Sequence, residues 1–221
     1  STGAIAQRRI DAEAAFIAAY QKAGGEIVGT VRTPLVTLDF SPYMQRVKDT
    51  KPDLLFAFVN GGDVAPAFIR EFRDKGLADA GIQLVGTGDI VDEAIIETIG
   101  DRALGLTTVY PYSMHHASEL NARFVRDFKA LRGASARPTI MAVAAYDGMA
   151  AIYAALQKTG GKTDGTALLE AMKGLQLDSP RGRIAIDATT RDIVQDQYIR
   201  RVEKQGGVLA NVEFQTFPAH K

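Results

Sequence analysis

The residues best suited to chemistry in this sequence follow its apolar runs. Asn60-Gly61-Gly62-Asp63 breaks the run Leu54–Val59, and Gly86-Thr87-Gly88-Asp89 follows Gln83-Leu84-Val85. Glycine lets a backbone come close to a bound molecule, and Asn60, Asp63, Thr87 and Asp89 offer donors or acceptors beside it. Loops of this kind hold small polar ligands through backbone N–H groups and a carboxylate. Each also has a plainer explanation. Asp63 is equally suited to cap a following helix, and Gly86-Thr87-Gly88 serves as a tight strand-to-helix turn. A dinucleotide fingerprint requires a third glycine where Val91 stands, and the Gly-Lys-Ser/Thr of a phosphate loop is absent.

Catalysis finds no foothold. Asp89, Asp92 and Glu93 form a carboxylate group, but helix N-termini attract acidic residues through the macrodipole. No Gly-x-Ser-x-Gly elbow occurs. His115-His116 suggests a metal at first sight. Adjacent side chains point apart on any regular element, and no third ligand is near, so a solvated loop is expected there and at His220. No metal, cofactor or catalytic residue is expected. Tyr146, within Tyr146-Asp147-Gly148, either stacks on a ligand or fills core. Tyr110-Pro111-Tyr112 has the makings of an ordered connector.

Composition narrows the class. The 221 residues are 46% apolar and 24% charged, enough for a sizeable core. Lys+Arg and Asp+Glu number 26 each, and this zero net charge argues against a nucleic-acid partner, which demands a basic excess. With no cysteine, disulfides and thiolate sites are impossible. Ser1–Arg9 carries charge without the apolar stretch of a secretory leader, and runs such as Leu54–Val59 are far short of a bilayer span.

These loops need elements to position them. Helical spacing runs over Ile10–Ala23 until Gly24-Gly25 stops it. Glu26–Val31 is a short β-rich run. Ser41-Pro42 predicts a helix start, with Tyr43–Thr50 following and Lys51-Pro52 ending it. Leu54–Val59, continuously apolar, predicts a strand buried on both faces. Helices over Val64–Lys75 and Ile90–Ile99 alternate with strands at Gln83–Val85 and Leu104–Val109. Four strands separated by helices predict βαβ units and a mostly parallel sheet, with the polar loops at the strands' C-terminal ends. Beyond that the character changes. Ala117–Arg132, Ile140–Thr159 and Gly165–Gly174 predict three helices with no strand between them. Arg183–Asp187, Asp196–Lys204 and Val208–Phe214 are β-rich, with a hairpin turn at Gln205-Gly206-Gly207.

Several stretches together resemble a known family. They are Asp11-Ala12-Glu13-Ala14-Ala15-Phe16, Ala23-Gly24-Gly25-Glu26-Ile27-Val28-Gly29, Asp39-Phe40-Ser41-Pro42-Tyr43, Lys51-Pro52-Asp53, Gly61-Gly62-Asp63 and Gly86-Thr87-Gly88-Asp89. Later come Ala144-Ala145-Tyr146-Asp147-Gly148-Met149, Ser179-Pro180-Arg181-Gly182 and Arg191-Asp192-Ile193-Val194-Gln195. This series, over roughly residues 10–217, resembles the substrate-binding proteins of ABC transporters. The branch is the leucine/isoleucine/valine-binding one, with the type I periplasmic fold.

The resemblance implies an α/β fold with a doubly wound, mostly parallel sheet, plus a helical remnant of a second lobe. It implies a clamshell closing on a small molecule, with Asn60, Gly62, Asp63, Thr87, Gly88 and Asp89 on one lobe and Tyr146 on the other. Tyr110, Pro111 and Tyr112 become the hinge. The implied domains are 1–112, 113–177 (helical, incomplete) and 178–221 (returning strands). The implied function is periplasmic solute capture for an ABC importer, with a membrane permease as partner and an amino acid or related carboxylate, possibly an aromatic acid, as ligand. An ammonium would want Asp63 or Asp89; an aromatic acid without an amine would want donors from Asn60, Thr87 and Gly88. The rival readings are a ligand-sensing domain of a regulator and an enzyme with Asp89 as base. Family members also carry a first half-lobe that has no counterpart here, so the chain reads as a C-terminal portion. Apolar faces around Phe124, Phe128, Ile140, Val143, Ile152 and Leu156 are then expected to drive self-association through Ala117–Leu175.

Overall fold

The run Leu54–Val59 does begin a strand, β1 (Leu54–Ala57), and the chain's first unit is arranged around it. The computed structural model describes residues 2–219, so His220 lies outside the described residues. Two units divide the chain, Ser1–Thr108 and Val109–Lys221.

In the first unit, α1 (Thr2–Lys22) ends where Gly24 takes φ +89°, a value only glycine adopts without strain. Helix α2 (Ser41–Thr50) has proline in its first turn, and the Ser41 N–H donates to Asp39 Oδ1. Lys51, in the left-handed region at φ +49°, ends it just before Pro52. Helix α3 (Val64–Asp74) buries Ala65, Phe68, Ile69 and Phe72 at helical spacing. Phe40 meets Phe68 edge to face at 5.3 Å. Strand β2 (Gln83–Thr87) runs parallel to β1 in the register Leu54↔Gln83 to Ala57↔Gly86, and β3 (Thr107–Tyr110) follows β2 in the sheet order. The turn before β3 is held by Arg73, which donates to the carbonyls of Arg102 and Leu104.

Two expectations fail here. Glu26–Val31 is not a strand but an extended segment without ladder bonds, so this half has three strands, not four. A strand exists only with a neighbour to exchange hydrogen bonds with, and β-propensity alone supplies none. The helix expected over Ile90–Ile99 is broken into a 3-10 turn (Gly88–Val91) and one α-turn, α4 (Ile96–Ile99). Asp92 interrupts it at ψ 150°, and its side chain accepts from the Ala94 N–H instead.

The second unit carries the three foreseen helices, α5 (Glu119–Arg132), α6 (Ile140–Lys158) and α7 (Gly165–Met172). Ser118 caps α5 and Asp164 caps α7 by side-chain hydrogen bonds. A small core of Tyr112, Met114 and Val143 takes in Phe124, Val125 and Ile140. Val143, expected on an uncovered face, is thus fully buried. Strands β4 (Gln176–Ser179), β5 (Gly182–Ile186) and β6 (Ile193–Val194) form an antiparallel sheet, of which only β5 was foreseen. Strands β7 (Gln197–Gln205) and β8 (Val208–Phe217) form the expected hairpin, with Gly206 and Gly207 both at positive φ, as a primed turn needs.

The β1–β2 ladder sets a testable demand. A Cβ on Gly86 would stand 2.7 Å from the Ala57 carbonyl oxygen, which a paired strand cannot withdraw. A Cβ on Gly61 would meet its nearest atom at 3.5 Å, an ordinary contact. Gly86→Ala is expected to destabilise the first unit by about 1–3 kcal/mol, and Gly61→Ala by less than about 0.5 kcal/mol, in urea unfolding.

Candidate functional site

The parallel ladder ends at Ala57 and Gly86, so the two polar loops leave adjacent strands at the same end. The Gly61 Cα faces the Asp89 carbonyl closely enough that an added Cβ would lie 3.5 Å from it. The loops are therefore side by side. Gly62, at φ +66°, turns the first of them. Asp63 opens α3 with an exposed side chain that makes no capping hydrogen bond, so the capping alternative is not realised. Asn60 is half-buried, and its Nδ2 donates to the Leu35 carbonyl at 3.1 Å. Gly88 is buried, and Asp89 is half-buried in the 3-10 turn.

Thr87 is the telling residue. Its Oγ is buried and has no hydrogen-bond partner. Leaving a buried hydroxyl unsatisfied costs about 1–3 kcal/mol, so the group calls for a physical reason, as do Asp147 Oδ1 and Glu213 Oε1 in the second unit. The motif marked this loop, but only the structure singles out its hydroxyl.

Tyr146 belongs to the second unit, 37% exposed on α6 and edge-on to Phe124 at 5.3 Å. Its neighbour Asp147 is 5% exposed, and its Oδ2 accepts from Nε and Nη2 of Arg181, each at 2.9 Å. The Arg181 Nη1 donates to Gln195 Oε1. The Tyr146-Asp147-Gly148 helix and the Ser179–Gly182 turn are thus joined by a buried ion pair. By length and composition alone α6 could cross a bilayer, yet Asp147 ties it to this turn. The Tyr198 hydroxyl donates to the Arg181 carbonyl at 2.7 Å. Burial, with the negative charges of Glu213 and Asp196, pushes this phenol up to about 12, so it remains a neutral donor.

Arg200, 1% exposed, donates to the Tyr112 carbonyl at 2.6 Å and lies 4.8 Å over the Tyr110 ring. Tyr112 donates its hydroxyl to Asn121 Oδ1, and the Asn121 amide holds the carbonyls of Met114 and His116. His116, expected in a solvated loop, instead lies half-buried with Nδ1 2.8 Å from Glu213 Oε2 and its ring beside Tyr198. His115 is exposed. Sequence reading missed Arg181 and Arg200 as organising residues. The one signal was an aspartate inside an apolar helix, which demands a buried partner.

The C-terminal ends of adjacent parallel strands are where α/β folds place their ligand-binding loops. Comparison with known proteins gives the family. A family model described as periplasmic binding protein matches residues 9–207, and the chain belongs to that family. A Leu/Ile/Val-binding protein homolog 6 of Brucella melitensis is 43% identical over 209 residues, covering 94% of this chain and 54% of the relative. A solute-binding protein of an ABC transporter from Rhodopseudomonas palustris BisB5, solved with 3,4-dihydroxybenzoic acid, is 46% identical with TM-score 0.88, over 96% of this chain and 57% of that one. Another from R. palustris, solved with 4-hydroxybenzoate, is 41% identical with TM-score 0.90, over 95% of this chain and 57% of that one. The chain spans about half the length of the relatives it matches.

The buried pair is open to test. Arg181→Met leaves Asp147 buried without its partner and is expected to cost about 3–5 kcal/mol. Replacing both, as Asp147→Leu with Arg181→Met, is expected to cost less than that single change in denaturant unfolding.

Proposed function

We propose that this chain is about half of an extracytoplasmic solute-binding protein of an ABC importer, working in the periplasm with a membrane permease. Its ligand is a hydroxybenzoate-type aromatic acid. The observation that carries this is the unpaired, buried Thr87 hydroxyl between two loops rich in backbone donors. A phenol or carboxylate completes such a group, whereas an amino acid's ammonium would call on Asp63 or Asp89. The solved relatives with 3,4-dihydroxybenzoic acid and 4-hydroxybenzoate support the same class. In this reading Gly62, Gly88 and Asp89 supply backbone or carboxylate contacts, and Asn60 offers its remaining oxygen. Tyr146 provides an aromatic contact, and Tyr110, Pro111 and Tyr112 form a hinge clamped by Arg200. The returning strands of 178–221 belong functionally with residues 1–112, and 113–177 is the incomplete helical part. No residue stands out as a general base, so binding without turnover is proposed.

Amide resonances of Gly62, Thr87, Gly88 and Asp89 are expected to shift on adding 4-hydroxybenzoate at millimolar concentration, and Thr87→Val to remove the effect. Leucine is expected to leave them unmoved. Leucine shifting them while the benzoates do not would make the ligand an amino acid. Shifts confined to other residues would refute these loops.

The same reading proposes that the chain associates with a second copy through Ala117–Leu175. Met141, Met149, Ile152 and Tyr153 on α6 and Leu131 at the end of α5 are all exposed, Leu131 at 85%. Light scattering at micromolar concentration is expected to give a mass above one chain, and Tyr153→Lys with Met149→Lys to reduce it. A monomer throughout would end this part of the proposal.

A further inference from the structure

The chain has three asparagines, and only Asn60 precedes a glycine. Asparagine is among the thermally labile side chains, and the three stand in different surroundings. Asn121 and Asn211 are fully buried. The Asn121 amide is held by the carbonyls of Met114 and His116, and the N–H that follows it, that of Ala122, donates to the Ser118 carbonyl within α5. Asn211 is fixed in the β7–β8 ladder opposite Val202. Asn60 differs in each respect. It is half-buried and stands between β1 and α3, outside any helix or strand. The Gly61 N–H enters no backbone–backbone hydrogen bond among the described residues. A Cβ at position 61 would have one neighbour within 4 Å, the Asp89 carbonyl oxygen at 3.5 Å. The backbone nitrogen next to the Asn60 side chain is therefore both uncommitted and uncrowded.

We propose that Asn60 is a self-modification site: the Gly61 nitrogen displaces the Asn60 amide, and the product releases this loop from Leu35 and rejects an anionic ligand. The Gly61 nitrogen gives its proton to hydroxide and forms a bond to Asn60 Cγ. The Cγ–Nδ2 bond breaks, and Nδ2 leaves as ammonia with a proton taken from water. The cyclic imide then takes up one water at either carbonyl and opens to aspartate or isoaspartate. In the unmodified loop Nδ2 donates to the Leu35 carbonyl at 3.1 Å. Both products lack that donor and carry a new carboxylate, which only accepts. Two acceptors cannot share the contact, so the tie to Leu35 is lost. The new negative charge joins those of Asp63 and Asp89 in the same pair of loops and opposes a carboxylate ligand. That last consequence rests on the proposed function; the chemistry at Asn60 and the release from Leu35 do not.

The test is to warm the folded chain in mildly alkaline buffer and follow each asparagine by peptide mapping and mass spectrometry. Conversion of amide to acid is expected at Asn60, with Asn121 and Asn211 intact. Gly61→Ala, whose methyl has room but hinders the attack, is expected to slow conversion many-fold. The carbonyl ¹³C resonance of Leu35 is expected to move in the converted chain and in Asn60→Asp alike. Resonance shifts caused by 4-hydroxybenzoate are expected to fade in step with conversion, and to persist in Gly61→Ala after the same treatment. Asn60 remaining intact in the folded chain while the urea-unfolded chain converts would show that the fold protects it, and would overturn the proposal. An unmoved Leu35 carbonyl, or equal 4-hydroxybenzoate shifts in converted and fresh chain, would overturn it equally. A fresh chain that ignores 4-hydroxybenzoate would count against that ligand class alone, because the mass and Leu35 readouts still decide the modification.

Discussion

The close approach of β2 to β1 at Gly86 is the constraint on which the candidate site rests. Paired parallel strands cannot separate locally, because each backbone group is held at hydrogen-bonding distance along the ladder. The Ala57 carbonyl occupies space that any side chain at position 86 would need. With glycine there, both strands end together, and the loops that follow lie side by side. Every polar group in those loops inherits its position from that ladder. The glycine of Gly86-Thr87-Gly88 thus has a reason that involves no phosphate and no ligand contact of its own.

Much of the fold was legible because it rests on local signals. Gly24, Lys51-Pro52 and Gly206-Gly207 end or turn their elements where the sequence places them, and the apolar run at Leu54 becomes a strand. What failed depended on neighbours. Glu26–Val31 has strand composition but no strand to pair with, and pairing is a property of two segments. The break at Asp92 turns on one side chain preferring a nearby N–H to solvent, which helical periodicity does not register.

The candidate site divides along the same line. The loops were legible from glycines and carboxylates following apolar runs. The particular importance of the Thr87 hydroxyl was not, since burial without a partner is a statement about everything around an atom. Asp147 and Arg181 are separated by 34 positions, and no spacing rule joins them. Arg200 is one of two adjacent arginines in β7, a type for which exposure is the default, and its burial goes with the Tyr112 carbonyl and the Tyr110 ring that receive its guanidinium.

Buried polarity is organised differently in the two units, though neither satisfies every group. In the second, Arg200, Asn121 and Tyr198 each give a donor to a named acceptor, and Arg181 is shared between Asp147 and Gln195, while Asp147 Oδ1 and Glu213 Oε1 find no partner. Such networks hold one arrangement against alternatives, since breaking any member leaves a buried group unpaired. In the first, the Thr87 hydroxyl has no partner among the described residues. A single hydroxyl among glycine loops suits a small polar molecule, whereas the carboxylate oxygens of Asp147 and Glu213 belong to side chains already engaged by Arg181 and His116. Recognition by fixed donors and acceptors requires no base or nucleophile, and the capture proposed for these loops calls for nothing more.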